Sequence, residues 1–207
     1  GTAVTLTMTV TSSNTCNPQT ATAISPVNVD SLPFAAAGGA ATICQNATHT
    51  ISGTTARYGS INWSHNGSGS LSNQTSLTPT YTAAAGDAGT AVTLTMTVTS
   101  TNSCAPQTAT ALYTINVDPL PTATAGGTQT ICENSTATIS RATATNGSIL
   151  WTENGAGSIT SGATTLAPVY TAAAGDAGSV VTLTMTVTST NSCNPQTATA
   201  LYTINVD

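Results

Sequence analysis

Five cysteines, two histidines and seven carboxylates are the side chains of this 207-residue sequence whose types could do chemistry. Cys44 and Cys132 form one set by context, and Cys16, Cys104 and Cys193 form another. No His or further Cys lies near them at metal-ligand spacing, so disulfide chemistry in an oxidising, extracellular setting is expected rather than a zinc site. His49 and His65 have Ala137 and Glu153 as their counterparts in the next copy of the internal repeat described below, so a catalytic histidine would belong to one copy alone. Neither has a base and orienting partner in its neighbourhood. Their plainer role is as exposed loop or strand-edge residues, and Glu133 and Glu153, beside Asn-rich turns, read as solvated. Asp87 and Asp176 recur within the segment TAAAGDAG, whose glycines suit a tight turn capped by the carboxylate accepting backbone N–H groups. Asp30, Asp118 and Asp207 each close a repeat as lone carboxylates, where calcium wants about six to eight oxygens with several acids among them. A strand-end turn role is therefore expected for them, with a junction calcium completed by backbone carbonyls as the lesser alternative. No catalytic, cofactor-binding or metal-ligating residue is expected, and the chain does not read as an enzyme.

The elements that must position these residues come in copies. Residues 89–118 return as 178–207 with differences only at Thr90/Ser179, Ala91/Val180 and Ala105/Asn194, and an earlier copy fills residues 1–30. Trp63 recurs as Trp151 and Cys44 as Cys132, both at an offset of 88, while Tyr81 recurs as Tyr170 at 89. The expected units are therefore 1–30, the last third of a repeat, followed by two whole repeats at 31–118 and 119–207. Residues 1–30 alone have too few strands to bury an apolar face, so an upstream segment or a neighbouring molecule is expected to complete them.

Composition removes whole classes of function. Arg57 and Arg141 are the only basic side chains and the formal net charge is −5, which excludes a phosphate-tracking surface for nucleic acid. It also argues against a basic membrane-surface helix. No apolar run approaches the ~20 residues needed to span a bilayer. Low charge could accompany disorder, but here β-branched residues alternate in register, as folded strands require.

Turn formers separate short runs rich in Val, Ile, Thr and aromatics, the spacing of a β-sandwich. In the last repeat strands are expected near 128–131, 136–140, 148–153, 166–171, 179–188 and 197–206. Val181, Leu183, Met185 and Val187 alternate with threonines, a period of two that buries one face and hydrates the other. Trp151 and Tyr170, with Trp63 and Tyr81 in the earlier copy, are the expected core centres, each worth roughly 1.5–3 kcal/mol on full burial. The outward threonine rows read as strand propensity rather than a ligand surface. Sequons at Asn46, Asn62, Asn66, Asn73, Asn134 and Asn146, and an Asp30-Ser31-Leu32 acceptor for O-linked sugar, arise readily from such a composition. The fold class is all-β: tandem immunoglobulin-like β-sandwich repeats of about 88 residues.

The order ICENSTATIS, a Trp-bearing strand, YTAAAGDAG, VTLTMTVTSTNSC and a last strand ending NVD before a proline resembles the PKD-like and Ig-like tandem repeats of giant bacterial cell-surface adhesins of the gliding-motility SprB type. The resemblance covers the whole chain and rests on structural motifs. It implies a protein exported by the type IX route and displayed outside the cell.

Two cysteine pairings follow from the sandwich. Nearest neighbours would join Cys44 to Cys104 and Cys132 to Cys193, each closing a loop of about 60 residues worth ~4 kcal/mol. In an immunoglobulin-like sandwich, however, the loop between the first two strands and the loop between the last two lie at opposite ends, about 30 Å apart, beyond disulfide reach. A bridge across the junction, Cys44 to Cys193, is the alternative. It would leave Cys16, Cys104 and Cys132 to partners elsewhere.

The expected function is a structural stalk or spacer segment of an extracellular surface adhesin or filament. Its partners would be neighbouring repeats of the same protein. Two alternatives are an adhesive module, whose middle-repeat loops with Tyr58 and His65 contact surface glycans or a protein, and a filament subunit in which identical chains assemble by strand addition. The Pro-bearing junctions at 31–33 and 118–121 limit bending, because proline fixes φ.

Overall fold

The structure is a computed structural model that describes residues 1–15 and 19–207. It begins with an antiparallel hairpin, β1 (Thr2–Thr11) and β2 (Thr20–Val29), paired along its full length from Thr2–Val29 to Thr11–Thr20. Cys16 falls outside the described residues.

The next module contains β3 (Phe34–Ala36), β4 (Ala40–Cys44), β5 (Thr48–Thr50), β6 (Thr55–Arg57), β7 (Gly59–His65), β8 (Ser70–Ser72), β9 (Thr80–Thr82), β10 (Ala91–Ser100) and β11 (Thr108–Asp118). One sheet has the order β4-β11-β10-β7, in which β4 runs parallel to β11 and the other pairs are antiparallel. The facing layer is β5-β9-β8, with the short pair β3-β6 beside it. The last module repeats this plan with β12 (Thr122–Thr124), β13 (Thr128–Ile131), β14 (Thr136–Thr138), β15 (Thr143–Thr145), β16 (Gly147–Glu153), β17 (Ser158–Ser161), β18 (Val169–Thr171), β19 (Ser179–Ser189) and β20 (Thr197–Val206). Its main sheet is β13-β20-β19-β16.

Each module is a two-layer all-β sandwich because its longest strands carry an apolar row of period two. In β10, Val92, Leu94, Met96 and Val98 are buried while the threonines between them are half-exposed. Trp63 and Ile115 extend this row on the neighbouring strands of the same sheet, and Tyr81 and Ile51 come from the facing layer; Trp151, Ile204, Tyr170 and Ile139 do the same in the last module. The indole N–H groups donate to the carbonyls of Ser76 and Thr165 at 3.0 and 2.9 Å, which satisfies the one polar atom that each Trp brings into the core. The six strands expected in the last repeat all occur. The sequence reading did not include β12, β15 and β17. These are edge strands of three or four residues, too short for an alternating pattern to register.

Candidate functional site at the module junction

The junction between the two complete modules is built around Asp118, the last residue of β11. Cys44 lies opposite Asp118 in the parallel β4–β11 register, and the Gln45 amide donates to the Asp118 carbonyl at 2.8 Å. From the other side, the turn after β19 brings Cys193 to the same carbonyl, with its sulfur 3.4 Å away. That turn is shaped by its own side chains. Asn191 Oδ1 accepts from the Ser189 hydroxyl at 2.6 Å and from the Cys193 amide at 2.8 Å, and the Asn194–Pro195 peptide is cis. Cys44 and Cys193 form a disulfide, with S–S 2.06 Å and Cα atoms 4.6 Å apart.

Hydrogen bonds accompany the covalent link. The Ser192 amide donates to the Asp118 carboxylate at 2.9 Å, and the side-chain amide of Asn191 donates to the Pro119 carbonyl at 3.0 Å. Asn146 donates to the Leu120 carbonyl at 3.0 Å, while the Leu120 amide reaches Gln45 Oε1 at 3.4 Å. The three-residue step from β11 into the next module, Pro119 to Pro121, is thus tied on both sides.

The preceding junction repeats this geometry around Asp30. Ser103 donates its amide and its hydroxyl to the Asp30 carboxylate at 3.1 and 2.7 Å, and Asn102 donates to the Ser31 carbonyl at 3.0 Å. The Cys104 sulfur lies 3.6 Å from the Asp30 carbonyl. Ser103's two hydrogen bonds, hydroxyl first, hold the Asp30 carboxyl below its ordinary range. Asp30 and Asp118 are thus engaged by serines at the junctions. No group of three or more His, Cys, Asp or Glu side chains comes together among the described residues.

The structure thus separates the two pairings left open by the sequence. The Cys44–Cys104 and Cys132–Cys193 scheme is not formed, because the loops carrying each of those pairs sit at opposite ends of one sandwich. Cys104 is a half-buried free thiol and Cys132 an exposed one.

A second arrangement joins residues that the sequence reading treated separately. Tyr81, read as core, donates its hydroxyl to the carboxylate of Asp87, read as a turn cap, at 2.7 Å. The same carboxylate accepts the amides of Ser68 and Ala84 at 2.6 and 2.9 Å. In the last module Asp176 accepts from Tyr170 at 2.7 Å and from the amides of Ala156, Gly157 and Ala173. Burial alone would raise both carboxyls, but these hydrogen bonds outweigh it and hold them below the usual range. Burial, then the hydrogen bond to the aspartate, pushes both tyrosines up to about 12. The Asn-Gly-x-Gly run ahead of β8 and β17 has to be glycine-rich: a Cβ on Gly155 would lie 2.2 Å from the Tyr170 hydroxyl. The readable signal was Tyr followed six residues later by Asp in both copies.

The histidines sit on edge strands, one of the two placements expected, but are less exposed than expected. Both are half-buried on strands: His49 Nε2 lies 3.1 Å from the Tyr113 hydroxyl, and His65 meets the edge of Tyr81. Another difference between the modules is a shallow groove lined by Leu32, Phe34, Arg57 and Tyr58. The corresponding residues of the last module are Leu120, Thr122, Thr145 and Asn146.

No family model matches the chain, and no curated protein matches it. Among solved structures it is similar to mouse protocadherin-24 EC1-3, at 13% identity and a TM-score of 0.52, covering 98% of this chain and 80% of that one. Weaker likenesses include the N-terminal four Ig domains of Dscam1 isoform 6.9 (12% identity, TM-score 0.43, covering 85% of this chain and 46% of that one). Drosophila N-cadherin EC1-4 is another (17% identity, TM-score 0.37, covering 99% and 58%). The chain spans about half the length of those last two structures. At 13% identity the likeness to the protocadherin structure shows the fold alone, an all-β sandwich.

Proposed function

We propose that this chain is a stalk segment of an extracellular bacterial surface adhesin or filament, similar to the SprB type, in which sandwich modules joined end to end hold a distal part away from the cell. The observation that carries this reading is the Cys44–Cys193 bridge, which ties one module to the next rather than stapling a module to itself. A covalent strut beside the peptide link, with the Asp118, Asn191 and Asn146 hydrogen bonds around it, opposes bending at the junction. An independent binding domain has no need of that stiffness. An extracellular, oxidising location keeps such a bridge formed, and a hydroxyl-rich surface with almost no charge suits a spacer whose hydration changes little with salt. The partners in this reading are the neighbouring repeats, with no cofactor and no catalysis.

Small-angle scattering of the chain with and without reductant tests the reading. A stiff stalk gives a distribution of overall lengths that broadens on reduction, whereas freely hinged beads give the same broad distribution in both states.

A second reading, an adhesive module for glycans, is favoured by one observation. Phe34 and Tyr58 are about half-exposed beside Arg57 in a groove whose counterpart has Thr122 and Asn146 in place of the two aromatics, and aromatic faces are suited to apolar sugar faces. Tyr58 also holds a left-handed φ of 61°, in a turn where the other copy has Asn146 at 60°, a backbone conformation that costs Tyr more than Asn. Glycan arrays probed with the chain and with Tyr58→Asn decide: retention on a glycan class that the variant loses supports this reading, and no retention removes it. Strand addition between identical chains is checked by whether the chain assembles into filaments.

A further inference from the structure

The β1–β2 hairpin closely follows the sequence of β10–β11 but lacks its cover. Val4, Leu6, Met8 and Val10 are 47–62% exposed, and their counterparts Val92, Leu94, Met96 and Val98 are buried beneath the half-module of residues 31–88. Val27 and Val29 stand exposed where Ile115 and Val117 are buried. The outer edges are bare too. β11 pairs with β4 and β10 with β7, while β1 and β2 pair only with each other. A long unpaired edge beside an uncovered apolar face is a surface that other strands will occupy.

A second copy of these 207 residues has no half-module to spare as the cover. The described structure holds three such hairpins, β1–β2, β10–β11 and β19–β20, but only two covering half-modules, so each added copy brings one more bare hairpin than it can cover.

The second observation is at Cys104. Its counterpart Cys193 is bridged, and the two share their surroundings. The Cys104 amide donates to Asn102 Oδ1 at 2.9 Å as that of Cys193 does to Asn191 at 2.8 Å, and each sulfur rests on the carbonyl of a junction aspartate. In the complete junction, the cysteine that reaches Cys193 sits opposite Asp118 on the parallel strand beside β11. The matching place beside Asp30 is the bare edge of β2.

We infer that the β1–β2 face binds a half-module of the same repeat class, linked directly ahead of Gly1 in the same polypeptide, and that this half-module carries a cysteine which bonds to Cys104. One segment would thus bury the hairpin's apolar row, pair a parallel strand with β2 and place a thiol opposite Asp30. Gly1 is the sequence counterpart of Gly89, which at φ 74° ends the tight turn that leads out of the preceding half-module, so a half-module ahead of Gly1 would enter the hairpin by the same short link. Bond formation joins two thiols and releases two protons and two electrons to an extracellular oxidant or a thiol-disulfide oxidoreductase. The inference deepens the stalk reading and rests on it for one premise, that successive junctions are alike.

The hairpin departs from its copies at places the incoming half-module must match: Val27 for Ile115 is a small change in the apolar row, and two others change shape and hydrogen bonding. Ser25 replaces Tyr113, and Pro26 replaces Thr114, whose amide donates to the Gly39 carbonyl at 3.1 Å. The test therefore uses two extended chains. In one, a second copy of residues 31–88 is fused ahead of Gly1; the other adds Ser25→Tyr and Pro26→Thr. Each is compared with the unextended chain by iodoacetamide labelling without reductant, non-reducing peptide mapping and binding of an apolar fluorescent dye. The expected result is that Cys104 is labelled in the unextended chain and protected in at least one extension, joined to the Cys44 of the added copy, with dye binding lost. Free Cys104 in both extensions overturns the inference, as does oxidation of the unextended chain into polymers linked through Cys104 and Cys132 with dye binding lost. Neither result depends on whether the rod is stiff, so failure here is distinct from failure of the stalk reading.

Discussion

Replacing Cys44 and Cys193 together by Ala removes the bridge without leaving a hydroxyl at Cys193, which is 2% exposed. The sequence separation of the bridge is 149 residues, but that is not the loop that matters when one module unfolds alone. While the first complete module stays folded, Cys44 is held beside Asp118, so unfolding the second frees only the 75 residues between Asp118 and Cys193. Chain entropy makes closure of such a loop worth about 4.5 kcal/mol. The converse case is nearly symmetrical. With the second module folded, Cys193 stays at the Asp118 carbonyl, and unfolding the first frees a loop of almost the same length. Both modules are therefore expected to lose stability together, by amounts approaching about 4.5 kcal/mol each against a total of roughly 5–15 kcal/mol for a domain. Hydrogen exchange read by mass spectrometry across a denaturant series resolves the two modules without further substitution. Loss confined to residues 119–207 would point to a bridge within one module, and a loss below about 1 kcal/mol in both would refute the loop argument.

The buried aspartates yield further expectations. Asp176→Ala strips the acceptor from three amides and the Tyr170 hydroxyl and should cost the last module about 3–5 kcal/mol, while Tyr170→Phe costs only about 1, because the amides keep their carboxylate; equal losses on denaturant unfolding would contradict this. Because the folded carboxyls of Asp87 and Asp176 lie below their unfolded values, their stabilisation is present above about pH 4 and is lost as pH falls through the folded pKa. Tyr81 and Tyr170 are raised, so theirs is present below pH 10 and lost as pH rises toward about 12. Melting temperature against pH should show both flanks, and Tyr170→Phe with Tyr81→Phe should flatten the alkaline one. Arg141 holds φ 70° on an exposed turn where the other copy has Gly53 at 74°. Arg141→Gly should therefore raise stability by about 0.5–1 kcal/mol in thermal melts, and a decrease would show that Arg141 makes a compensating contact.

Much of this was legible in the residues because the repeat makes each signal appear twice. The alternation of Val181, Leu183, Met185 and Val187 marks a half-buried strand, and Trp63 and Trp151 sit at the centres where single large aromatics in a lean core have to be. The disulfide was only half legible. Sequence spacing allows either pairing, and what decides is the parallel placement of β4 beside β11, which puts Cys44 at the module's end. The strand itself is readable, as its copy at 128–131 shows, but no local pattern announces that it pairs in parallel with β11. The Tyr–Asp contact spans only six residues and its near amides, Ala84 and Ala173, fit the turn cap read from the sequence; the amides of Ser68, Ala156 and Gly157 come from the turn ahead of β8 or β17, and only the fold brings them in. The short edge strands carry too few residues for a period to be read.

The central claim is a junction braced by a covalent strut, and non-reducing peptide mapping of the native protein tests it most directly. The account predicts a linked pair of peptides containing Cys44 and Cys193. Peptides linking Cys132 to Cys193, or Cys44 to Cys104, would contradict it and turn the rod into separately stapled beads.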